Sequence, residues 1–322
     1  MKRFLKNLSY FLLPVLVLAY PLDIFLSNNL KKSKAYGQDE YSVYNDMYSG
    51  NLRAEVVVYG SSRAWTHLNP ILLEKGLHRS VYNLGLDGHT FQLQYLRHLE
   101  YLKYNPKPRY ILYSLDVFTL ERLPDLYNVQ QFLPYMLYNE NIKNFTLPYG
   151  HFSFLDYYLP LLRYSGKKWA VLHAVKNAVV PVDQSAGRVK GYRAKDETWN
   201  GDFEKAQEKL QYYKAIPDPE LTKLFHQFLQ NCARQNIEVI FVYSPEYIEG
   251  QKFVQNREEI LQLYRNMAAQ HRLLFLDYSQ DKISQEKKFF YNVTHLNKTG
   301  SEAFTNTLLQ DLKRLKPAMA LP

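Results

Sequence analysis

Ala54-Glu55-Val56-Val57-Val58-Tyr59-Gly60-Ser61-Ser62-Arg63 is a β-branched run that stops on a glycine and two serines. A short apolar run closed by a glycine is the form of a buried parallel strand that turns sharply at its carboxyl end. Asn69-Pro70 then supplies an N-cap and a first-turn proline for a helix through Leu77. A second strand from Ser80 to Leu84 leads into Gly85-Leu86-Asp87-Gly88. A helix from about Thr90 to Tyr104 and a third strand from Arg109 to Leu115 follow. This alternation predicts right-handed crossovers and a parallel sheet, with function at the carboxyl ends of its strands.

The alternation pauses between Asp116 and Pro219, far longer than a loop of roughly 2 to 6 residues in α/β units. That stretch therefore reads as an insertion with its own helices, near Val129 to Tyr138, Phe154 to Ala178 and Asp202 to Tyr213. Within it, Gly191-Tyr192-Arg193 through Trp199-Asn200 mixes aromatic, amide and charged groups suited to holding a glycan, or equally to a lid surface with Trp199 packed inward. The α/β pattern resumes with a helix from Glu220 to Gln235, a strand from Ile237 to Tyr243, a helix from about Arg257 to Gln270 and a strand from Leu273 to Asp277. A last helix runs from Lys298 to about Leu315. The organisation is an N-terminal segment over 1–30, a polar, tyrosine-rich tether over 31–53, and an α/β domain over 54–322 that carries a helical insertion over 116–219.

With 46% hydrophobic and 22% charged residues, the 322-residue chain has the composition of a globular protein with a substantial core. Its formal charge of +9 comes from scattered Lys and Arg residues that follow no nucleic-acid-binding motif, so no nucleic-acid partner is expected. The 28 tyrosines offer stacking faces for sugars, or reflect compositional bias. Lys2, Arg3 and Lys6 precede a stretch from Leu8 to Leu26 whose one charge is Asp23. At about 1.5 Å per residue that stretch nearly spans a hydrocarbon core of roughly 30 Å, so it is expected to anchor the chain in a membrane. The alternative is a cleaved signal peptide with Val17-Leu18-Ala19 before the cut. Either way the remainder is exported, and a chain with a single cysteine, Cys232, suits a bacterial envelope with an extracytoplasmic domain.

Ser62 sits just past the first strand, where a tight turn presents its hydroxyl and the first amides of the next segment can face an oxyanion. A serine hydroxyl needs a base, and His295 in Thr294-His295-Leu296-Asn297, directly before the final helix, is the best candidate. His67 and His89 follow the first two motifs and read as structural or as lining the same cleft. No spacing of His, Cys or acidic residues suggests a metal, and no phosphate-cradling glycine loop is present, so a cofactor-free reaction is expected.

The order of these motifs is similar to that of the SGNH hydrolases, the GDSL esterase/lipase superfamily, over most of 54–115 and 219–315. The resemblance implies a three-layer, flavodoxin-like α/β fold. It selects Ser62, closing Gly60-Ser61-Ser62, as nucleophile, and it selects Gly88, closing Asn83-Leu84-Gly85-Leu86-Asp87-Gly88, as an oxyanion-hole donor beside the Ser62 amide. Gly-Ser-Ser and His-Leu-Asn look most like a membrane-anchored, extracytoplasmic branch that includes proteins of alginate acetylation and lipoteichoic acid D-alanylation. Two positions depart from the family pattern. Asp116, in Ser114-Leu115-Asp116-Val117, stands where an asparagine normally donates to the oxyanion, which an ionised carboxylate cannot do. Asn292 stands where an aspartate orients the imidazole; an amide can fix the ring but adds no charge, which leaves Asp277 as a substitute acid.

The expected function is an exported serine esterase or O-acyltransferase acting on acyl groups of a cell-envelope glycan. Its partners would be the acylated glycan or an acyl donor, the membrane, and a membrane acyltransferase. The alternative is a non-catalytic glycan-binding or scaffold protein of the same fold, working in polysaccharide modification.

Overall fold

A computed structural model of the chain describes residues 2–33, 37, 39–182, 187–209 and 212–320. Its helices before the long interruption are α1 (Lys2–Lys31), α2 (Glu40–Tyr48), α3 (Ser62–His67), α4 (Pro70–Leu77) and α5 (Phe91–Tyr104). Within it lie α6 (Glu140–Thr146), α7 (Lys168–Val179) and α8 (Asp202–Lys209), and from its end onward come α9 (Pro219–Arg234), α10 (Ile248–Phe253), α11 (Arg257–His271), α12 (Lys298–Leu315) and α13 (Pro317–Ala320). The strands are β1 (Val56–Tyr59), β2 (Val81–Asn83), β3 (Tyr110–Ser114), β4 (Glu238–Tyr243) and β5 (Leu274–Asp277). They form one parallel sheet in the order β2-β1-β3-β4-β5.

Two compact units make up the chain: Met1–Asn45 with Pro124–Gly187, and Asp46–Leu123 with Arg188–Pro322. The second unit holds the sheet. Side chains alternate across a strand, so Val56, Val58, Leu112, Ile240 and Val242 face Leu73, Leu77, Phe304 and Leu308 of α4 and α12. On the opposite face Tyr113 and Phe241 meet Phe91, Phe225 and Phe228 of α5 and α9 through edge and stacked ring contacts. The result is a three-layer α/β fold of flavodoxin-like strand order. The order reverses between β1 and β3, which marks the carboxyl ends of those strands as the place for a site.

The boundaries differ from the sequence reading in several places. The helix expected near Val129 to Tyr138 is a single 3₁₀ turn at Val129–Phe132, and that expected from Phe154 to Ala178 is two 3₁₀ turns, Phe154–Tyr157 and Leu162–Tyr164, followed by α7. The stretch expected to form one insertion over 116–219 is divided, with 124–187 in the first unit and 188–219 in the second. The later part is pinned to the sheet unit because Asn83 N–H donates to Lys190 O (2.9 Å) and Lys298 N–H to Lys195 O (2.8 Å). The tether expected over 31–53 contains α2, whose Tyr41, Tyr44 and Met47 recur at helical spacing and are buried. The stretch expected to cross a membrane lies in α1, but among the described residues no helix is long and apolar enough to do so.

Asp23 explains why α1 belongs with 124–187. Its carboxylate is buried and takes a bidentate pair from Arg163, Nη1 to Oδ2 at 2.6 Å and Nη2 to Oδ1 at 2.7 Å. Leu161 N–H adds a third bond at 2.7 Å, and Ser27 Oγ meets Tyr164 Oη at 2.8 Å. Removing one partner of a buried pair leaves an uncompensated charge, at a cost of about 3–5 kcal/mol. Asp23→Ala is therefore expected to lower the unfolding free energy of the first unit by that amount, read as a fall in its urea midpoint. An unchanged midpoint would show that the pair contributes nothing.

Candidate active site

Gly60 makes the turn that presents Ser62. Its φ of +140° is open to glycine, and a Cβ there would lie 2.6 Å from Ser114 O and 2.9 Å from Ala64 Cβ. Ser61 then caps α3, its hydroxyl accepting from Arg63 N–H at 3.3 Å. Ser62 is the first helical residue, so its N–H is among the amides a helix leaves without an acceptor in its own turns. Its neighbours Ser61 and Arg63 are buried, whereas Ser62 stays partly exposed.

The Asn83-to-Gly88 motif is clipped to that helix. Asn83 Nδ2 donates to Ala64 O (2.8 Å) and Leu68 O (2.9 Å), and its Oδ1 accepts from Gly85 N–H (2.9 Å). Trp65 Nε1 donates to Asp87 Oδ1 at 3.1 Å, next to Gly88, which turns in the left-handed region at φ +67°. Gly88 is thus in the loop that abuts the nucleophile's helix.

His295 reaches Ser62 from the other side: Nε2 is 2.8 Å from Ser62 Oγ. Asn292 completes the arrangement. Its Oδ1 accepts the backbone N–H of His295 (2.9 Å) and of Thr294 (3.1 Å) and lies 2.9 Å from His295 Nδ1. Backbone N–H groups can only donate, so the oxygen of the amide faces them and Nδ1 must carry the ring proton. Nε2 is left bare to take the proton of Ser62. Tyr291 stacks on the imidazole, with ring centroids 5.3 Å apart and planes 16° from parallel.

Asp116 does not join this group. Its carboxylate is fully buried, accepts from Ser61 Oγ (2.5 Å) and pairs with Arg63 Nη1 (2.8 Å), so it holds the floor of the site and faces no oxyanion. Burial pushes the Asp116 carboxyl up from the usual range, and the Arg63 guanidinium with the Ser61 hydroxyl draws it back. Asp277 stands apart from His295 as well: at the end of β5 it pairs with Arg265 (3.2 Å) and accepts from Ser279 N–H (3.0 Å). His89 is buried before α5, with its carbonyl accepting from Gln94 Nε2 at 2.7 Å.

Arg63 was not anticipated from the sequence. It is buried, and it also donates to Glu246 Oε1 (3.0 Å), Ser244 O (2.5 Å) and Ser244 Oγ (2.9 Å). The one signal was an arginine set beside a nucleophile motif whose third block carried an unexpected aspartate. The 188–200 segment also bears on the site: Arg188 lies 4.3 Å over the Trp65 ring and donates to Gly85 O at 2.9 Å, and Asn200 N–H donates to Tyr291 O at 2.8 Å. Trp199 packs edge-on against Tyr247, and its indole N–H donates to Glu204 at 3.2 Å.

No family model matches the chain, and no curated protein matches it by sequence. Among solved structures it is similar to one from Streptococcus pneumonia described as a platelet activating factor (13% identity, TM-score 0.41, 95% of this chain and 99% of that one). Another is a Bacteroides thetaiotaomicron protein described as a GDSL-like lipase (12% identity, TM-score 0.37, 84% and 96%). A third is a Bacteroides fragilis protein described as an acylhydrolase (12% identity, TM-score 0.36, 81% and 86%).

Burial, and then the charges of Arg63 and Lys195, pull the His295 imidazole down to about 3. A base must be neutral to accept a proton, so a lowered value extends the neutral form toward acid. The rate at which a fluorophosphonate labels Ser62 is expected to stay level from pH 8 to below about pH 5, whereas with an ordinary histidine it would fall by half at about pH 6.5 and to about 3% by pH 5. Asn292→Ala, which frees the ring to turn and change tautomer, is expected to slow labelling about 100-fold at neutral pH.

Proposed function

We propose that the chain is an exported serine hydrolase or O-acyltransferase acting on acyl esters of a bacterial cell-envelope glycan. The observation that carries the chemistry is the 2.8 Å contact of Ser62 Oγ with His295 Nε2, with the ring's other nitrogen committed to Asn292. In this reading Ser62 Oγ attacks the acyl carbonyl as its proton passes to Nε2. The Ser62 and Gly88 amides face the tetrahedral oxyanion. Collapse breaks the bond to the alcohol, which leaves with the proton from Nε2, and the acyl group stays on Ser62. Water, or a sugar hydroxyl, then gives its proton to Nε2 and takes the acyl group.

The glycan part of the reading is supported by the polar groups around the dyad. Tyr291 stacks on the His295 imidazole and Lys195 lies 5.8 Å over the Trp65 ring, both rings being buried, so a sugar would be met by the polar groups of 188–200, such as Lys195 and Asn200, rather than by open ring faces.

Attachment to an anionic lipid surface belongs to the same reading, and the first unit's helices support it. On α7, Ala170, Ala174 and Asn177 are buried, and Asn177 Nδ2 donates to Asn29 O of α1 at 3.1 Å. The other side exposes Trp169 (64%), Leu172 (54%) and Val179 (77%) together with Lys168 and Lys176, and α1 exposes Leu13, Val17 and Leu18. Apolar helix faces flanked by cations lie at membrane interfaces.

The first test is intact-mass labelling with a fluorophosphonate and hydrolysis of an acetylated sugar. One adduct and turnover are expected on wild type, and neither on Ser62→Ala or His295→Ala. A folded wild type that neither labels nor turns over would favour the glycan-binding scaffold. For the membrane, Trp169→Ser with Leu172→Ser is expected to weaken flotation with phosphatidylglycerol vesicles by at least about tenfold. Unchanged flotation would remove α7 from the contact.

A further inference from the structure

His295 is held in place by a second histidine. His67, the last residue of α3, is fully buried, and its Nε2 lies 2.9 Å from the backbone N of Leu296. That amide can only donate, so Nε2 presents a lone pair and the proton sits on Nδ1, 2.8 Å from Ser244 Oγ. Ser244 Oγ also accepts from Arg63 Nη2 at 2.9 Å. The opposite edge of the same peptide is fixed too, because Tyr291 N–H donates to His295 O at 3.0 Å. Both polar groups of the His295–Leu296 peptide are therefore committed, one to Tyr291 and one to His67. The two imidazoles meet edge to face, centroids 6.1 Å apart at 85°.

We propose that His67 is a positioning residue for the base. Its neutral Nε2 fixes the peptide plane that follows His295, and through it the line from His295 Nε2 to Ser62 Oγ. The inference rests on the Ser62–His295 reading of the site. A protonated His67 would set N–H against N–H and release the loop. Burial first, then the charges of Arg63 and His295, holds its imidazole well below the ordinary range. A misplacement of about 1 Å in a reacting pair costs on the order of 100-fold in rate.

The test uses the full chain and two substitutions of different reach. In His67→Gln an amide oxygen can take the place of Nε2, whereas in His67→Asn the side chain reaches Ser244 and falls short of Leu296. With p-nitrophenyl acetate, His67→Asn is expected to lower kcat about 100-fold with KM changed less than about threefold, and His67→Gln to recover to within about tenfold of wild type. Nitrogen NMR of the wild-type imidazole is expected to place the proton of His67 on Nδ1. Wild-type kcat in His67→Asn, or a proton on Nε2, would overturn the inference and leave the Ser62–His295 dyad standing. A wild type that neither labels with a fluorophosphonate nor hydrolyses the ester would overturn both. If His67→Asn does not fold, a folded His67→Gln with wild-type KM and the Nδ1 proton supports the role, and the Nε2 proton refutes it.

Discussion

The site depends on one buried cation. Arg63 follows the nucleophile, lies out of water and carries a charge that the interior tolerates only with close partners. It finds them after two neighbouring strands, Asp116 after β3 at 2.8 Å and Glu246 and Ser244 after β4, while Arg63 itself follows β1. Ser61 adds a bond from the β1 turn to Asp116. The carboxyl ends of β1, β3 and β4 are thereby tied at one charged knot, and the nucleophile's helix is seated on it. A second arginine, Arg257, approaches Glu246 at 3.3 Å, so two guanidinium groups face two carboxylates and the cluster is close to neutral.

That knot also sets the character of the base. Burial first, and then the positive charges of Arg63 and Lys195, make an imidazolium at His295 costly to form. In a serine–histidine–aspartate site the third residue offsets this with a negative charge; here Asn292 supplies direction without charge. Direction is nevertheless well defined. Because two backbone amides donate to Asn292 Oδ1, that amide cannot rotate to present its nitrogen, and the ring keeps the tautomer the reaction needs. Under the proposed reaction this would be a well-oriented but weak base.

The sheet and its order were legible because β-branched runs, glycine turns and helix caps repeat at fixed spacing, and each is a local property of the chain. Ser62, His295 and Asn292 were legible for the same reason: each lies where a strand end or a helix start must put it. Asp116 stood out in the sequence as a departure from the family pattern, but its use was not legible, since its partner Arg63 is 53 residues away and pairing of that kind leaves no local pattern. Asp277 was a reasonable acid by position, but Arg265 on the preceding helix, α11, claims it. The limits of the insertion were not legible, because nothing within 188–200 announces that its backbone pairs with Asn83 and Lys298. In α1, hydropathy alone suggested a span, whereas Asp23 is there to meet Arg163, 140 residues later.

His67 shows how position and chemistry are divided in this site. Three groups decide where the reacting atoms stand: Gly60 through backbone space, Asn83 through two carbonyls of α3 and its start, and His67 through one amide of the base loop. None needs a charge, and each acts on main chain, so none can be inferred from the reacting side chains. The charged groups do a different job, fixing the potential in which the base works. A glutamine can serve where an acceptor is needed at His67, but no neutral residue can replace Arg63 without leaving Asp116 and Glu246 as adjacent buried carboxylates. His67 should therefore tolerate an exchange that keeps its acceptor, Gly60 has no room for a side chain, Asn83 needs both halves of its amide, and the cation beneath them should not be exchanged.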